Sequence, residues 1–149
     1  HTVMPHAAIG CDILAGFPGE DKQAADRSYN LLADLPITYL HIFPYSVRPG
    51  TAAAKFPDQV PGPVKDARVA SLQELDEQKR QAFYRQHCGA IQNVLFEGRD
   101  TQTGLLNGFT ANYIPVCCRG DASLVGSVVA VQLLKKEDKG VFGKIIRSE

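Results

Sequence analysis

Downstream of Gly89 the sequence is a series of short apolar segments separated by turn residues, and few folds accommodate such a series. Turn-forming residues stand in the gaps, at Gly98, Gly104, Asn112, Gly120, Gly126 and Gly140. Short apolar runs bounded by such residues are typical of β-strands. The segments predict strands at 91–97, 105–109, 113–118, 127–134 and 141–146. Five short strands in this space predict a small, all-β barrel of the OB type.

The first part of the chain has a different pattern, which predicts a strand, a helix and a second strand. Residues 11–15 and 39–43 are short apolar runs, and an amphipathic segment between them ends at Pro36. This order predicts a βαβ unit of α/β type with parallel strands. Acidic Glu20 and Asp21 stand where they would favour the start of the helix.

One βαβ unit cannot cover both faces of its own sheet, as parallel sheets require. We therefore expect the remaining strands to come from upstream sequence or from another subunit, and the chain to be a fragment of a longer protein. Ile13, Leu14, Ile42 and Phe43 are expected to expose apolar surface and to favour self-association.

Pro61, Gly62 and Pro63 form a break that predicts a linker. An amphipathic segment follows from residue 64 to 88 and predicts a helix that ends at Gly89. The predicted domains are residues 1–88, which hold the βαβ unit and the helix, and residues 89–149, which hold the barrel.

The sequence argues against binding driven by net charge, against a zinc site and against a membrane-spanning helix. Sixteen basic and sixteen acidic side chains give a formal net charge of zero, so no global field favours nucleic acid or a membrane surface. Cys11, Cys88, Cys117 and Cys118 lack the spacing of a zinc site. Their scarcity favours a reducing, cytoplasmic location, and adjacent Cys117 and Cys118 are expected to pack in a strand. No apolar run reaches the length of a membrane-spanning helix.

Two segments of the first domain are candidates for a ligand site. Residues 16–20, Gly-Phe-Pro-Gly-Glu, follow a predicted strand and precede a helix, where α/β folds often bind ligands. The alternative is that they form only a tight turn. His41, on the neighbouring strand, either lines the same pocket or is a packed histidine. The loop after it holds an aromatic ring, a hydroxyl and a cation at Tyr45, Ser46 and Arg48.

The barrel carries candidates for RNA binding. Phe109, Asn112 and Tyr113 cluster near one predicted hairpin, and OB-like barrels stack bases on aromatic rings while cations contact phosphates. The candidate cations are Arg99, Arg119, Lys135, Lys136, Lys139, Lys144 and Arg147. In the alternative interpretation the two rings belong to the core and the cations are ordinary surface residues.

Three segments together resemble the radical S-adenosylmethionine methylthiotransferases. Residues 12–20, Asp-Ile-Leu-Ala-Gly-Phe-Pro-Gly-Glu, are similar to the adenine-side strand and turn of that family. Residues 45–52, Tyr-Ser-Val-Arg-Pro-Gly-Thr-Ala, and residues 58–61, Asp-Gln-Val-Pro, are similar to its next loop. Lys65, Arg68 and Leu72 match the helix that leads into its C-terminal TRAM domain, a small RNA-binding barrel. The resemblance covers essentially the whole chain.

Two further segments resemble one branch of the family. They are residues 41–46, His-Ile-Phe-Pro-Tyr-Ser, and residues 108–113, Gly-Phe-Thr-Ala-Asn-Tyr. Enzymes of this branch convert N6-threonylcarbamoyladenosine at position 37 of tRNA to its 2-methylthio derivative. The resemblance implies the C-terminal piece of a partial TIM barrel followed by a TRAM domain, with tRNA as partner at its anticodon loop and no membrane.

The family uses S-adenosylmethionine and two [4Fe–4S] clusters, and these cofactors carry the radical chemistry. Ile13, Gly16 and His41 are implied neighbours of S-adenosylmethionine. Tyr45, Ser46 and Arg48 are implied to lie at the mouth of the barrel, facing cofactor or RNA.

The sequence departs from the family by lacking the Cys-x-x-x-Cys-x-x-Cys motif, so we expect the chain alone to bind no cofactor and to be inactive. Asp21 also replaces a threonine that is usual in the family. Three alternatives stay open: a non-catalytic RNA-binding module, the branch that modifies isopentenyl-adenosine in tRNA, and the branch that modifies a ribosomal protein.

Overall fold

The structure is a computed structural model that describes residues 3–146. Its main elements are, in chain order, β1 (Gly10–Ala15), α1 (Lys22–Asp34), β2 (Tyr39–Pro44), α2 (Gly62–His87), β3 (Ile91–Arg99), β4 (Leu106–Thr110), β5 (Pro115–Cys118), β6 (Val128–Glu137) and β7 (Gly140–Ile145). Residues 8–79 form one compact unit, and the described residues before and after them form a second. The division falls within α2, whereas the sequence predicted a boundary after residue 88.

The first unit is the predicted βαβ arrangement. Strands β1 and β2 pair in parallel, from Gly10 beside Tyr39 to Ala15 beside Pro44, and α1 connects them. One face of this two-stranded sheet is covered by a core of five buried side chains. They are Ala15, Leu32, Leu40, Leu72 and Leu75. The core therefore joins β1 and β2 to α1 and to the first half of α2.

Strand alternation decides which apolar residues of this sheet are exposed. Ile13 and Ile42 point toward the helices and pack against the core, so the prediction that they are exposed was wrong. Leu14 and Phe43 point to the other face and are 46% and 52% exposed, as predicted. Two of the four residues predicted to be exposed are therefore exposed.

Both helices begin at residues whose chemistry explains the boundary. Asp21 caps α1, because its carboxylate accepts a hydrogen bond of 2.7 Å from the Ala24 N–H. Helix α2 begins at Gly62, inside the segment predicted as a linker, so that prediction was wrong at Gly62 and Pro63. Proline is compatible with a first helical turn, since its missing N–H would have no partner there.

The second unit is a closed barrel with the strand order β3-β4-β5-β7-β6. All neighbouring strands are antiparallel except β5 and β7, which are parallel. Strands β3 and β6 pair to close the barrel. The predicted OB-like barrel is confirmed. Its interior is filled by alternating residues of every strand, namely Val94, Phe96, Leu106, Val116, Cys118, Val131, Leu133 and Val141.

Gly108 is required by the close approach of β3 and β4. A Cβ atom at this position would lie 2.1 Å from the carbonyl oxygen of Leu95, which is backbone and cannot move aside. The register also shifts between Phe96 and Gly98, which is the signature of a β-bulge. The two strands are therefore bent together where the barrel turns.

Candidate nucleic-acid interface

The turn at residues 16–20 is held by contacts within its own unit. Gly16 has a φ of +78°, and its N–H donates to the Glu20 carboxylate. Arg68 of α2 donates to both the carboxylate and the carbonyl oxygen of Glu20, at 2.9 Å each. A Cβ atom at position 16 would lie 2.2 Å from the Lys65 side chain. Glycine and the Glu20–Arg68 pair therefore maintain the shape of this turn.

Tyr45 is packed against that turn and does not face solvent. Only 8% of the residue is exposed, and its ring lies 5.3 Å from the ring of Phe17. Lys65 donates to the Tyr45 carbonyl at 3.1 Å, and its ammonium lies 5.9 Å from the ring centroid. The Tyr45 hydroxyl is buried and has no hydrogen-bond partner among the described residues. Ser46 and Arg48, which follow, are exposed.

Ile13, Gly16 and His41 are not brought together as one pocket. Ile13 faces the helix-covered core, whereas His41 is on the opposite, exposed face with its ring 5.1 Å from that of Tyr39. Gly16 is buried in the turn beside Lys65. Ile13 and His41 therefore lie on opposite faces of the sheet, and Gly16 lies in the turn that follows β1.

Phe109 and Tyr113 are exposed, which excludes the alternative that they belong to the barrel core. Phe109 is 40% exposed on β4, and Tyr113 is 75% exposed in the turn between β4 and β5. Tyr113 has a φ of +61°, so it belongs to the turn and not to the strand predicted from residue 113. A bulky residue in the left-handed region is uncommon and costs backbone energy. The Tyr113 ring is therefore exposed to solvent in a backbone conformation that is energetically unfavourable for a tyrosine.

The side chain of Asn112, next to this ring, forms its hydrogen bonds within the barrel unit. Its amide nitrogen donates to His87 Nε2 at 3.2 Å and to the His6 carbonyl at 2.9 Å. Its amide oxygen accepts from the Thr110 hydroxyl at 2.5 Å. The other ring nitrogen of His87 lies 2.9 Å from the Phe83 carbonyl, and the side chain is buried. The polar atoms of Asn112 are therefore engaged within the protein.

The exposed Phe109 belongs to an apolar row on the outside of the barrel. Phe109 pairs with Leu95, and Leu95 pairs with Val128, so the three side chains adjoin across β4, β3 and β6. They are 40%, 41% and 65% exposed. The exposed residues beside them on β3 and β4 are Asn93, Glu97 and Asn107, of which only Glu97 is charged. This row offers apolar contact without adjacent positive charge.

Arg119 and Lys144 line a groove elsewhere on the barrel, together with apolar residues of β6 and β7. The groove has a volume of about 930 Å³ and includes Leu134, Phe142 and Ile145. Its one acid is Asp121, whose carboxylate accepts a 2.9 Å hydrogen bond from the Ser123 N–H. That hydrogen bond, assisted by the charge of Arg99, holds the pKa of Asp121 below its ordinary value. Phe142 was not singled out from the sequence.

The remaining predicted cations lie apart from this groove or are paired. Arg99 donates to the Gly104 carbonyl at 2.8 Å. Lys135 forms an exposed ion pair of 3.4 Å with Glu137, and Lys136 is half-buried. Lys139 lines a different cleft with Glu97 and Glu137. Arg147 lies outside the described residues.

Sequence comparisons relate the chain to enzymes that modify tRNA. Over 98% of its length it is 32% identical to the threonylcarbamoyladenosine tRNA methylthiotransferase MtaB of Bacillus subtilis. Over 97% it is 35% identical to the tRNA-2-methylthio-N(6)-dimethylallyladenosine synthase of Klebsiella pneumoniae. The chain belongs to the tRNA methylthiotransferase family. It is also 45% identical, over 57% of its length, to the MtaB of Aquifex aeolicus.

The chain covers 34%, 31% and 21% of these three relatives, so it spans about a third of the length of the first two. No protein-family model matches the chain. In the part of the chain that the structure describes, no helix is long and apolar enough to span a membrane.

The cysteines do not fit an iron–sulfur cluster, which requires several thiolates around one site. Residues 3–146 contain no group of three or more His, Cys, Asp or Glu side chains placed to hold a metal ion. Cys118 is buried inside the barrel, and burial raises its pKa to about 11. Burial also raises the pKa of Cys117, with a contribution from nearby Glu137. The adjacent pair packs in a strand, as predicted from the sequence.

Proposed function

We propose that this chain is the RNA-binding part of a tRNA methylthiotransferase and that its barrel is a TRAM domain. The observation that carries the proposal is the similarity, over nearly the whole chain, to enzymes whose names specify tRNA. The structure supports it with two exposed aromatic rings, Phe109 and Tyr113, and with the cations Arg119 and Lys144 on one closed barrel. In this proposal residues 1–88 are the end of the radical S-adenosylmethionine domain and its linking helix, and residues 89–149 are the TRAM domain.

The whole enzyme would convert N6-threonylcarbamoyladenosine at position 37 of tRNA to its 2-methylthio derivative. S-adenosylmethionine and two [4Fe–4S] clusters would supply the radical chemistry, and residues outside this chain would hold the clusters. Such an enzyme would act where mature tRNA is found, in the cytoplasm. The role of this chain is to bind and orient the anticodon arm.

Two of the predicted RNA contacts are less suited to that role than the others. The Tyr45 ring is packed against Phe17, and the Asn112 amide is engaged with His87 and Thr110. Ser46 and Arg48 remain exposed and are proposed contacts, as are Arg99 and Lys135. Backbone contacts of this kind release counterions, so binding should weaken as salt rises.

The test is binding of a tRNA anticodon stem-loop to the purified chain, measured by fluorescence anisotropy across a salt series. We expect affinity that falls with salt and that falls further in the double variant K135E/K136E. Absence of binding at low salt would refute the proposal and favour the ribosomal-protein branch, in which the barrel contacts a protein.

The dimethylallyladenosine branch is the second candidate, because a synthase of that branch is 35% identical over nearly the whole chain. The two candidates differ in the group attached to the adenine at position 37. Stem-loops that carry threonylcarbamoyladenosine or isopentenyl-adenosine at this position should be compared under the same conditions. We expect a preference for the threonylcarbamoyl form, and the opposite preference would assign the chain to the second branch.

A further inference from the structure

We propose that the groove lined by Arg119, Lys144 and Phe142 binds a single-stranded nucleotide, with the phosphate between the two cations and the base against the ring. This deepens the proposed function and rests on it, because it assigns the barrel surface that contacts RNA. It also separates that surface from the apolar row of Phe109, Leu95 and Val128.

Strand pairing brings the two cations together. Strands β5 and β7 are parallel, with Cys117 beside Phe142 and Cys118 beside Gly143. The next residues in this register are Arg119 and Lys144. The paired register ends at Cys118 and Gly143, so each cation lies one residue beyond the last pair, and both line the same groove.

Adjacent like charges on neighbouring strands are destabilising unless an anion lies between them. Asp121 also lines the groove, and its carboxylate accepts a hydrogen bond from the Ser123 N–H at the start of a short 3-10 helix, Ala122–Leu124. Among the charged residues that line the groove, Arg119 and Lys144 are positive and Asp121 is negative. The geometry therefore favours an anionic ligand, and phosphate is the anion of RNA.

The apolar part of the groove provides a surface for a base. Phe142 and Lys144 both point outward from β7, because they are two residues apart on a strand whose Val141 and Gly143 point inward. Leu134 of β6 is 45% exposed and lines the same groove. Base stacking on an aromatic side chain contributes about 1–3 kcal/mol and depends little on sequence. The groove is open to solvent and has a volume of about 930 Å³.

The apolar row is the less favourable surface for phosphate. Its neighbours Asn93 and Asn107 are neutral, and the cleft beside Phe109 includes Glu97 and Glu137 with one cation, Lys139. A phosphate placed there would meet more negative than positive charge. The groove is therefore electrostatically more favourable for phosphate than the apolar row is.

The experiment measures binding of a fluorescein-labelled anticodon stem-loop to the chain and to the variants R119E and K144E. We expect each variant to lose about tenfold in affinity at low salt and to reduce the slope of log affinity against log salt by about 0.7. The matched control is K139E, which makes the same charge change outside the groove and should lose less than about threefold. All three residues are exposed, so the variants should keep the wild-type melting temperature.

The base contact is tested with an RNA that carries 2-aminopurine in the loop, whose fluorescence is quenched by stacking. Phe142→Leu keeps an apolar side chain and removes the ring, so it should lower affinity by about fivefold or more and reduce the quenching. A duplex of the same length should bind more weakly than the loop. Equal binding of duplex and loop would refute the nucleotide contact even if the cations matter.

The outcomes distinguish the groove from the function as a whole. If the wild-type chain does not bind the stem-loop at low salt, both proposals are wrong. If the wild type binds and R119E and K144E bind equally well, RNA binding stands and the groove is not its site. If K139E loses as much affinity as the groove variants, the attraction is general and the assignment to the groove is refuted.

Discussion

Asn112 and Tyr113 are neighbours in one turn, and the structure predicts opposite consequences for their replacement by alanine. Asn112→Ala removes the acceptor of the Thr110 hydroxyl and the donor to His87 Nε2, and Thr110 and His87 are only 4% and 5% exposed. Leaving a buried polar group without its partner costs about 1–3 kcal/mol. Two such groups give a loss of about 2–6 kcal/mol in the free energy of unfolding.

Tyr113→Ala should leave stability nearly unchanged, because the ring is 75% exposed and alanine meets the same backbone restriction at a φ of +61°. If the ring stacks on a base, the change should lower RNA affinity by about fivefold or more. Asn112→Ala, assayed well below its melting temperature, should bind RNA as the wild type does.

The assay is differential scanning calorimetry of both variants, followed by the anisotropy titration with the stem-loop. For a unit of this size, a loss of 2 kcal/mol corresponds to a decrease of at least about 8 °C in melting temperature. The reasoning is refuted if Asn112→Ala melts like the wild type and loses RNA affinity, because its amide would then contact RNA and not His87.

Three further predictions concern the rest of the chain. Gly108→Ala should prevent the barrel from folding or reduce its free energy of unfolding by more than about 3 kcal/mol, because the new Cβ atom would lie 2.1 Å from the Leu95 carbonyl oxygen. Thermal unfolding of the variant beside the wild-type chain measures the loss of stability. Arg68→Met should destabilise the first unit by about 1–3 kcal/mol, since it leaves the half-buried Glu20 carboxylate without its cation. The double variant R68M/E20Q, which also removes that charge, should recover part of the loss when both variants are unfolded in a urea titration. Cys118 should react with iodoacetamide only after unfolding, and its alkylation in the native state at neutral pH would contradict this. The free energy of unfolding should decrease between pH 9 and 11, because the unfolded thiol ionises near pH 9 and the folded one near pH 11; a constant value across this range would contradict the second prediction.

Local patterns in the sequence were sufficient to predict the elements of the fold. Alternation and turn residues predicted the barrel strands, and the apolar runs flanking an amphipathic segment predicted the βαβ unit. The predictions that failed depended on orientation. Ile13 and Ile42 are predicted to be exposed, but they pack against the core between the sheet and the helices α1 and α2. Short apolar runs do not show which residues of a strand will face the helices. Tyr113 was assigned to a strand because its left-handed backbone has no sequence signal comparable to glycine.

The candidate site was harder to predict because it depends on contacts between distant parts of the chain. Arg119 and Lys144 were each recognised as cations, but their proximity results from the parallel pairing of β5 with β7, which are not consecutive strands. The outward direction of Phe142 could have been inferred from its spacing to Lys144 within one strand. The engagement of Asn112 with His87 could not, because it joins the end of a helix to a hairpin turn.

The parallel pairing of β5 with β7 also bears on how the barrel is made during translation. Strand β5 is held on one side by β4 and on the other by β7, which comes last among the described strands of the barrel in chain order. Until β7 emerges, β5 has an unpaired edge and the groove lacks Phe142 and Lys144. A nascent chain can therefore complete β1, α1 and β2 early, from contacts that are near in sequence, while the barrel must wait for its most distant pairing. Ribosome-bound chains stalled before residue 140 should not retain the stem-loop RNA, and those stalled far enough downstream to release β7 should.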